Sequence, residues 1–277
     1  MLVSSKRSAA PPPAPPPLSP LIDAHTHLDA CGDGDVGAIL DRAAAVGVQA
    51  VVTVADDLDS ARWVTQAADS DPRVYAAVAL HPTRAGALDE DARAEIAELA
   101  AHPRVVAIGE TGMDLYWPGR LQGCADPEVQ AEAFAWHIEL AKRTGKPLMI
   151  HNRDADERVL EVLEAQGAPE VVIFHCFSSG PQMAQRCADA GWMLSLSGTV
   201  SFTNARELRE AVPIIPRDQL LVETDAPFLT PHPYRGSANE PYCLPYTVRA
   251  LAELLGESAA GLAQITSRNA RRVYGLD

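Results

Sequence analysis

Residues 21–27 read LIDAHTH, a short apolar run that ends in two histidines two positions apart. In a strand, positions i and i+2 point to the same side, so His25 and His27 are expected to share a face with Leu21 and Asp23. Two imidazoles on one wall suit a divalent metal, but a lone His-x-His fits a pair of packed histidines equally well. The rest of the chain has to supply further ligands if the metal reading is right.

The run has seven successors: AVVTVAD from Ala50, VYAAVALH from Val74, VVAIGE from Val105, PLMIH from Pro147, VVIFH from Val171, WMLSLSG from Trp192 and LLVETD from Leu220. Amphipathic stretches such as DLDSARWVTQAAD and PEVQAEAFAWHIELAKRTG lie between them, and TVRALAELLG follows the eighth. Helices that end at glycine and feed directly into apolar strands mark parallel βαβ units. Eight units predict an α/β fold, a closed (β/α)8 TIM barrel over residues 21–277.

Barrels of this kind build their sites at the C-terminal ends of the strands. Those ends carry His25, His27, His81, Glu110, His151, His175, and Glu223 with Asp225. Five of the eight histidines fall there, while His102 and His137 lie in helical stretches and His232 in the last loop. Imidazole and carboxylate without thiolate suit zinc, manganese or magnesium rather than copper(I) or an iron–sulfur cluster. Six such ligands exceed the need of one catalytic ion, so two divalent ions sharing a carboxylate are expected. Glu110 is the natural bridge, lying opposite His25 and His27 in barrel order. Asp225 could hold an ion and accept a proton from its water. Glu223, one layer deeper, either orients a ligand or sits in a buried ion pair. Cys176 has the opposite parity to His175 and is expected to point between barrel and helices.

At 277 residues, 47% hydrophobic and 22% charged, the chain has the composition of a soluble globular protein. It contains no uncharged apolar run of the ~18 residues that a membrane span needs. A net charge of −14 argues against coating long nucleic acid, yet leaves room for a local phosphate site once cations mask the carboxylates. Cys31, Cys124, Cys176, Cys187 and Cys243 form no C-x-x-C pair and are odd in number, which points to a reducing cytoplasm. Residues 1–20, MLVSSKRSAAPPPAPPPLSP, lack the apolar core of a secretory signal and read as a disordered Pro-rich tail. Polyproline II segments are also ligands for proline-recognising modules.

HTHLD at His25, ALHP ending at Pro82, GETGMDLYW from Gly109, PLMIHNRDA from Pro147, FHCFSSG from Phe174, LSLSGTVSF from Leu194 and VETDAPFLTPHPYRGSANEP from Val222 together resemble the TatD family of metal-dependent hydrolases, which includes deoxyribonucleases. The resemblance runs from about Leu21 to Leu276. It implies a barrel with a dinuclear site and phosphodiester hydrolysis on DNA, with His25, His27, Glu110, His151, His175 and Asp225 as metal ligands. Thr111 and Thr83 depart from the family pattern, where an aliphatic residue and a histidine are usual. The second departure bears on the role of His81.

A nuclease also needs donors for phosphate oxygens, and Arg235, Arg153 and His81 are the candidates. Tyr116 and Trp117 could stack an unpaired base. The expected activity is that of a monomeric deoxyribonuclease, a 3′–5′ exonuclease on single-stranded or damaged DNA ends, with Asp225 and Glu110 as catalytic residues and Mg, Mn or Zn as the ions. An alternative keeps the metals and changes the bond, giving an ester or amide hydrolase such as a D-aminoacyl-tRNA deacylase or a small-metabolite amidohydrolase. A third makes the metals structural and the tail a recruiter of partners.

Overall fold

A computed structural model describes residues 10–32 and 35–276. Eight strands form one parallel sheet in the order of the chain: β1 Leu21–Thr26, β2 Val48–Val54, β3 Val74–Val78, β4 Val105–Asp114, β5 Leu148–Arg153, β6 Val172–Phe174, β7 Met193–Leu196 and β8 Leu220–Val222. Around them lie α1 Val36–Ala45, α2 Leu58–Ser70, α3 Glu90–Ala100, α4 Pro127–Thr144, α5 Asp156–Gln166, α6 Pro181–Ala190, α7 Arg206–Ala211, α8 Leu244–Leu255 and α9 Ala259–Tyr274. This is the expected (β/α)8 barrel. Among the described residues no helix is long and apolar enough to cross a membrane.

Two apolar layers hold it together. The larger lies between sheet and helices and includes Leu21, Ile39, Val64, Phe134 and Leu251. The smaller fills the barrel itself with Ile22, Ala24, Val52, Val54, Ala77, Met149, Ile173 and Leu221. Helix ends follow local chemistry: Asp57 and Ser60 form a capping box at the start of α2, and Asp35, Asp89 and Ser258 cap α1, α3 and α9.

The barrel closes beyond the ends of the last and first strands. Asp225 N donates to His25 O at 3.0 Å, and His27 N donates to Ala226 O at 2.7 Å. Asp23, fully buried, accepts from Thr224 N at 2.8 Å and Thr224 Oγ1 at 2.5 Å across the same seam. Burial pushes the Asp23 carboxyl up to about 8.

Three sequence expectations need correction. His25 and His27 do share a face, but it is not that of Leu21: Ile22 and Ala24 fill the barrel, and a register irregularity between Asp23 and Thr26 turns the histidines inward. Helix α9 was not expected; its Ala270, Val273 and Tyr274 join the barrel filling, and Tyr274 Oη donates to Ala24 O at 3.1 Å. Residues 10–20 are not a free tail. They lie along α8 and α9, because proline rings find apolar cover and proline carbonyls find donors there. Residues 1–9 lie outside the described residues.

His137 on α4 is a structural histidine. Fully buried, it accepts from Leu80 N through Nε2 at 3.3 Å and donates from Nδ1 to Ala133 O at 2.7 Å. Burial pushes its imidazolium down to about 4. Between there and the ordinary ~6.5 the unfolded chain takes a proton that the folded chain refuses, so stability falls as pH drops through that window. The contribution is on the order of 3 kcal/mol. Denaturant unfolding of His137→Gln between pH 7 and 4 is expected to show a flatter profile than the unaltered chain; parallel profiles exclude this role. At the seam, Asp23→Ala leaves Thr224 N unpaired in the interior and is expected to cost roughly 2–3 kcal/mol, whereas Asp23→Asn stays within about 1 kcal/mol. Equal unfolding midpoints for the two variants would count against the bonds across the seam.

Candidate active site

Four imidazoles and two carboxylates meet at the C-terminal mouth of the barrel. His25 Nε2 and His27 Nε2 stand 3.2 Å apart. Glu110 Oε1 lies 3.8 and 3.5 Å from these two atoms, and Asp225 Oδ1 lies 3.6 and 3.5 Å from them. On the other side of the same carboxylate, Glu110 Oε2 lies 3.1 Å from His151 Nδ1 and 2.7 Å from His175 Nε2. Those two nitrogens are 3.3 Å apart. Each oxygen of Glu110 therefore faces its own pair of imidazoles. Donors around an ion at ~2.1 Å stand about 3.4 Å apart in a tetrahedron; the first group has that spacing, and the second is drawn tighter, at 2.7–3.3 Å.

Hydrogen bonds made away from the centre set the tautomers. His25 Nδ1 donates to Met149 Sδ at 3.1 Å and His27 Nδ1 donates to Val54 O at 3.2 Å, so both Nε2 atoms present lone pairs. His151 Nε2 donates to Asp114 Oδ2 at 3.1 Å and leaves Nδ1 for the cluster. His175 Nδ1 faces Glu223 Oε1 at 3.4 Å, a charge contact too poorly aligned for a hydrogen bond. Lone pairs of four buried imidazoles converging on carboxylate oxygens repel one another unless a cation stands between them. The residues fit divalent metal.

The carboxylates draw positive charge to the centre, whether a cation's or, at His27, a proton's. Burial pushes Glu110 up, but His175 and His151 overcome it and hold the carboxyl well below its usual range. Burial pushes His27 down, yet Asp225, Asp56 and Glu110 raise it to about 10. Burial and the neighbouring His175 hold His25 well below its usual value. The centre already favours positive charge.

Local backbone devices aim these groups. A Cβ at Gly109 would stand 2.5 Å from Met149 Cβ, and one at Gly112, where φ is +133°, would stand 2.2 Å from His151 O. Only glycine lets β4 lie this close to β5 on either side of Glu110. Asp225 and Cys176 hold left-handed backbone at φ +53° and +43°, turning the chain as it leaves β8 and β6. The turn at Cys176 corrects its expected position: its thiol lines the cavity, 3.3 Å from Ser197 Oγ.

The cavity over the cluster measures about 550 Å³. His81, Arg153 and Trp117 line it; the Arg153 guanidinium lies over the Tyr116 ring at 4.0 Å. His81 Nδ1 accepts from Thr83 N at 3.1 Å, which leaves the proton on Nε2, and burial pushes the imidazolium down to about 3. Arg235 is not among the lining residues; its guanidinium covers the Phe202 ring at 4.6 Å. Glu223 is fully buried behind the cluster, where its Oε1 also accepts from Cys176 N at 2.8 Å.

Sequence reasoning missed Asp114, Asp56, Arg84 and Phe228, all of which line the cavity. Asp114 shares strand parity with Glu110 and was legible had β4 been followed past its glycines. Its buried carboxylate accepts from His151 Nε2 and, through Oδ1, from Tyr116 N and Trp117 N at 2.9 and 3.0 Å.

Residues 22–275 match the family described as TatD related DNase. A Mycobacterium tuberculosis protein called an uncharacterized metal-dependent hydrolase, TatD, is 72% identical over 259 residues, covering 92% of this chain and 98% of its own. An Escherichia fergusonii protein called 3′-5′ ssDNA/RNA exonuclease TatD is 34% identical over 246 residues, 86% of this chain and 92% of its own. The crystal structure of YJJV, a TatD homolog from Escherichia coli, superimposes with a TM-score of 0.86 at 27% identity, over 93% of this chain and 98% of that one. With likeness of this extent on a barrel that gathers metal-type donors at its mouth, the chain belongs to the TatD family of metal-dependent hydrolases.

Proposed function

We propose that the chain is a deoxyribonuclease that shortens single-stranded DNA from its 3′ end, acting as a monomer in the cytoplasm. The observation that carries this reading is the division of Glu110, each oxygen facing a separate set of imidazoles. His25, His27, Glu110 and Asp225 would hold one divalent ion and Glu110, His151 and His175 a second. Bound there, Mg, Mn or Zn ions would supply Lewis acidity and an acidified water. The exonuclease name of the Escherichia fergusonii relative supports a nucleic-acid substrate.

The chain's own residues do the rest. Asp225, part of whose side chain remains open to the cavity, takes up the proton of the attacking water. Neutral His81 donates from Nε2 to a non-bridging phosphate oxygen. Arg153 and Arg84 hold neighbouring phosphates, while Trp117 and exposed Phe228 offer ring faces to unpaired bases. Arg235, farther out on the loop after β8, would meet the strand beyond the cavity. Glu223 keeps His175 oriented from behind. Asp56, Glu110, Asp114 and Asp225 would repel a polyanion on their own; two divalent cations reverse the local sign.

Metal-stripped protein with Mg, Mn or Zn restored is expected to shorten an end-labelled single-stranded oligonucleotide, and Asp225→Asn to slow this at least ~100-fold. Equal activity in the two proteins would refute the assignment of Asp225. Metal-loaded protein inert on DNA but active on an aminoacyl ester would move the reaction to carbonyl substrates.

Metal content tests the bridge separately. His27→Ala and His175→Ala are each expected to lose one ion per chain and Glu110→Ala both; equal losses in all three argue against a shared carboxylate. Asp114→Asn turns an amide donor toward His151 Nε2 and favours the wrong tautomer. It is expected to weaken metal binding 10–100-fold in calorimetric titration. Unaltered affinity would leave Asp114 a purely structural residue.

A further inference from the structure

The segment from Ala10 to Pro20, APPPAPPPLSP, is neither helix nor strand. Proline holds φ near −65° and offers no N–H, so such a run extends as polyproline II, with three residues per turn and its carbonyls unpaired. Its burial has that period. Pro12 and Pro15 are buried and Leu18 half-buried, while Pro11, Pro13, Ala14, Pro16 and Pro17 are exposed. One edge of a threefold helix lies against the barrel.

The receiving surface is a donor row that runs from the 3-10 turn Pro241–Cys243 into α8. Tyr242 Oη donates to Pro12 O at 2.6 Å, Tyr246 Oη to Pro13 O at 2.9 Å and Arg249 Nη2 to Pro16 O at 2.8 Å. Tyr246 and Arg249, three apart, share a face of α8, and the 3-10 turn leading into the helix brings Tyr242 into line with them. The two periods are commensurate: Pro12 to Pro16 spans about 12 Å of polyproline II, and Tyr242 to Arg249 about 10 Å of helix. Beyond the prolines, Leu18 N donates to Val46 O at 2.8 Å. There Gly47 lies so near that a Cβ on it would stand 2.3 Å from Leu18 O.

The same face adjoins the site. The Tyr246 ring packs on Tyr234 at 5.1 Å, in the loop that carries Arg235. That loop returns through Asn239, whose Nδ2 donates to Thr224 O and Phe228 O on either side of Asp225.

We propose that Tyr242, Tyr246 and Arg249 form a polyproline II recognition site whose resident ligand is the chain's own segment, residues 11–18. Aromatic hydroxyls and a guanidinium reading proline carbonyls, with every third ring buried, are the chemistry by which proline-rich peptides are recognised. The ligand and its receptor are here parts of one chain. Tethering gives the segment a high effective concentration, so the site is filled without needing high intrinsic affinity.

The test uses the full chain carrying Pro12→Asp and Pro15→Asp, which displaces the resident segment, and a fluorescein-labelled peptide of residues 10–20. Fluorescence anisotropy is expected to show saturable binding to this variant and uptake by the unaltered chain roughly 100-fold weaker, as tethered competition requires. Adding Tyr246→Phe and Arg249→Ala is expected to abolish binding, and a peptide with aspartate at both proline positions is expected not to bind. Equal binding of the two peptides overturns the proposal, as does no binding to a variant whose circular dichroism and unfolding midpoint match those of the unaltered chain. Should the double variant unfold, Tyr242→Phe and Tyr246→Phe in the otherwise unaltered chain supply the second measurement. Hydrogen exchange at the Leu18 amide is expected to quicken roughly fivefold per hydroxyl removed, and unchanged exchange overturns the proposal equally.

Discussion

The arrangement depends on one carboxylate. Glu110 is buried among four imidazoles, and each of its oxygens has separate nitrogen neighbours within 4 Å. A buried charge of this kind survives only where positive charge balances it. Everything nearby serves that balance. The irregularity in β1 turns His25 and His27 inward, glycines let β4 and β5 close on each other around Glu110, and left-handed backbone at Asp225 brings the last carboxylate round. Met149, Val54 and Asp114 take the outward nitrogens of three of the histidines, so that the inward ones keep their lone pairs. Backbone strain and tight packing at the mouth contrast with the ordinary apolar filling below it.

An acidic molecule with an acidic cavity is a poor receptor for an anion, and the contradiction resolves at the level of local charge. The net −14 is spread over a surface where Arg62, Arg73, Arg158 and Arg186 are engaged with carboxylates. Arg84 and Arg153 line the cavity instead. Two divalent cations added to that pair would leave the mouth positive within an otherwise negative field. On the function proposed above, such a field would favour a short stretch of strand entering the mouth over a duplex lying across the surface. Selectivity of that kind would come from the smallness of the positive region and would need no base-specific contact.

Strand ends were legible because two independent periodicities coincide there, the alternation of apolar runs and the punctuation by histidine or carboxylate. His25, His27, Glu110, His151, His175 and Asp225 were found from those ends, and the structure brings all six together. Position was harder to read wherever the chain leaves ideal geometry. A register irregularity reversed the expected parity below His25, and a left-handed turn carried Cys176 into the cavity. Asp114 escaped notice because β4 runs four residues past Glu110, through a glycine that reads as a turn. Arg235 looked like a phosphate ligand from its loop, yet its guanidinium finds the Phe202 ring, a long-range contact invisible in sequence. Proline-rich composition implied a free tail only because the composition of a segment says nothing about the tyrosines and arginine, some 230 residues away, that receive it.

The seam between first and last strands is where fold and site become one problem. β8 has only three residues, and the sheet ladder runs from β1 to β8 without joining its two ends. Closure falls to Asp23 and Thr224, to two backbone bonds around Asp225, and to α9 packed beneath. His25 and His27 stand on one side of that seam and Asp225 on the other. An ion held by all three would bond across it, so its binding energy would also be closure energy, and a looser seam would mean a weaker site. The short last strand thus has a physical counterpart: the pair of strands with the least ladder between them is the pair that the donor cluster ties together.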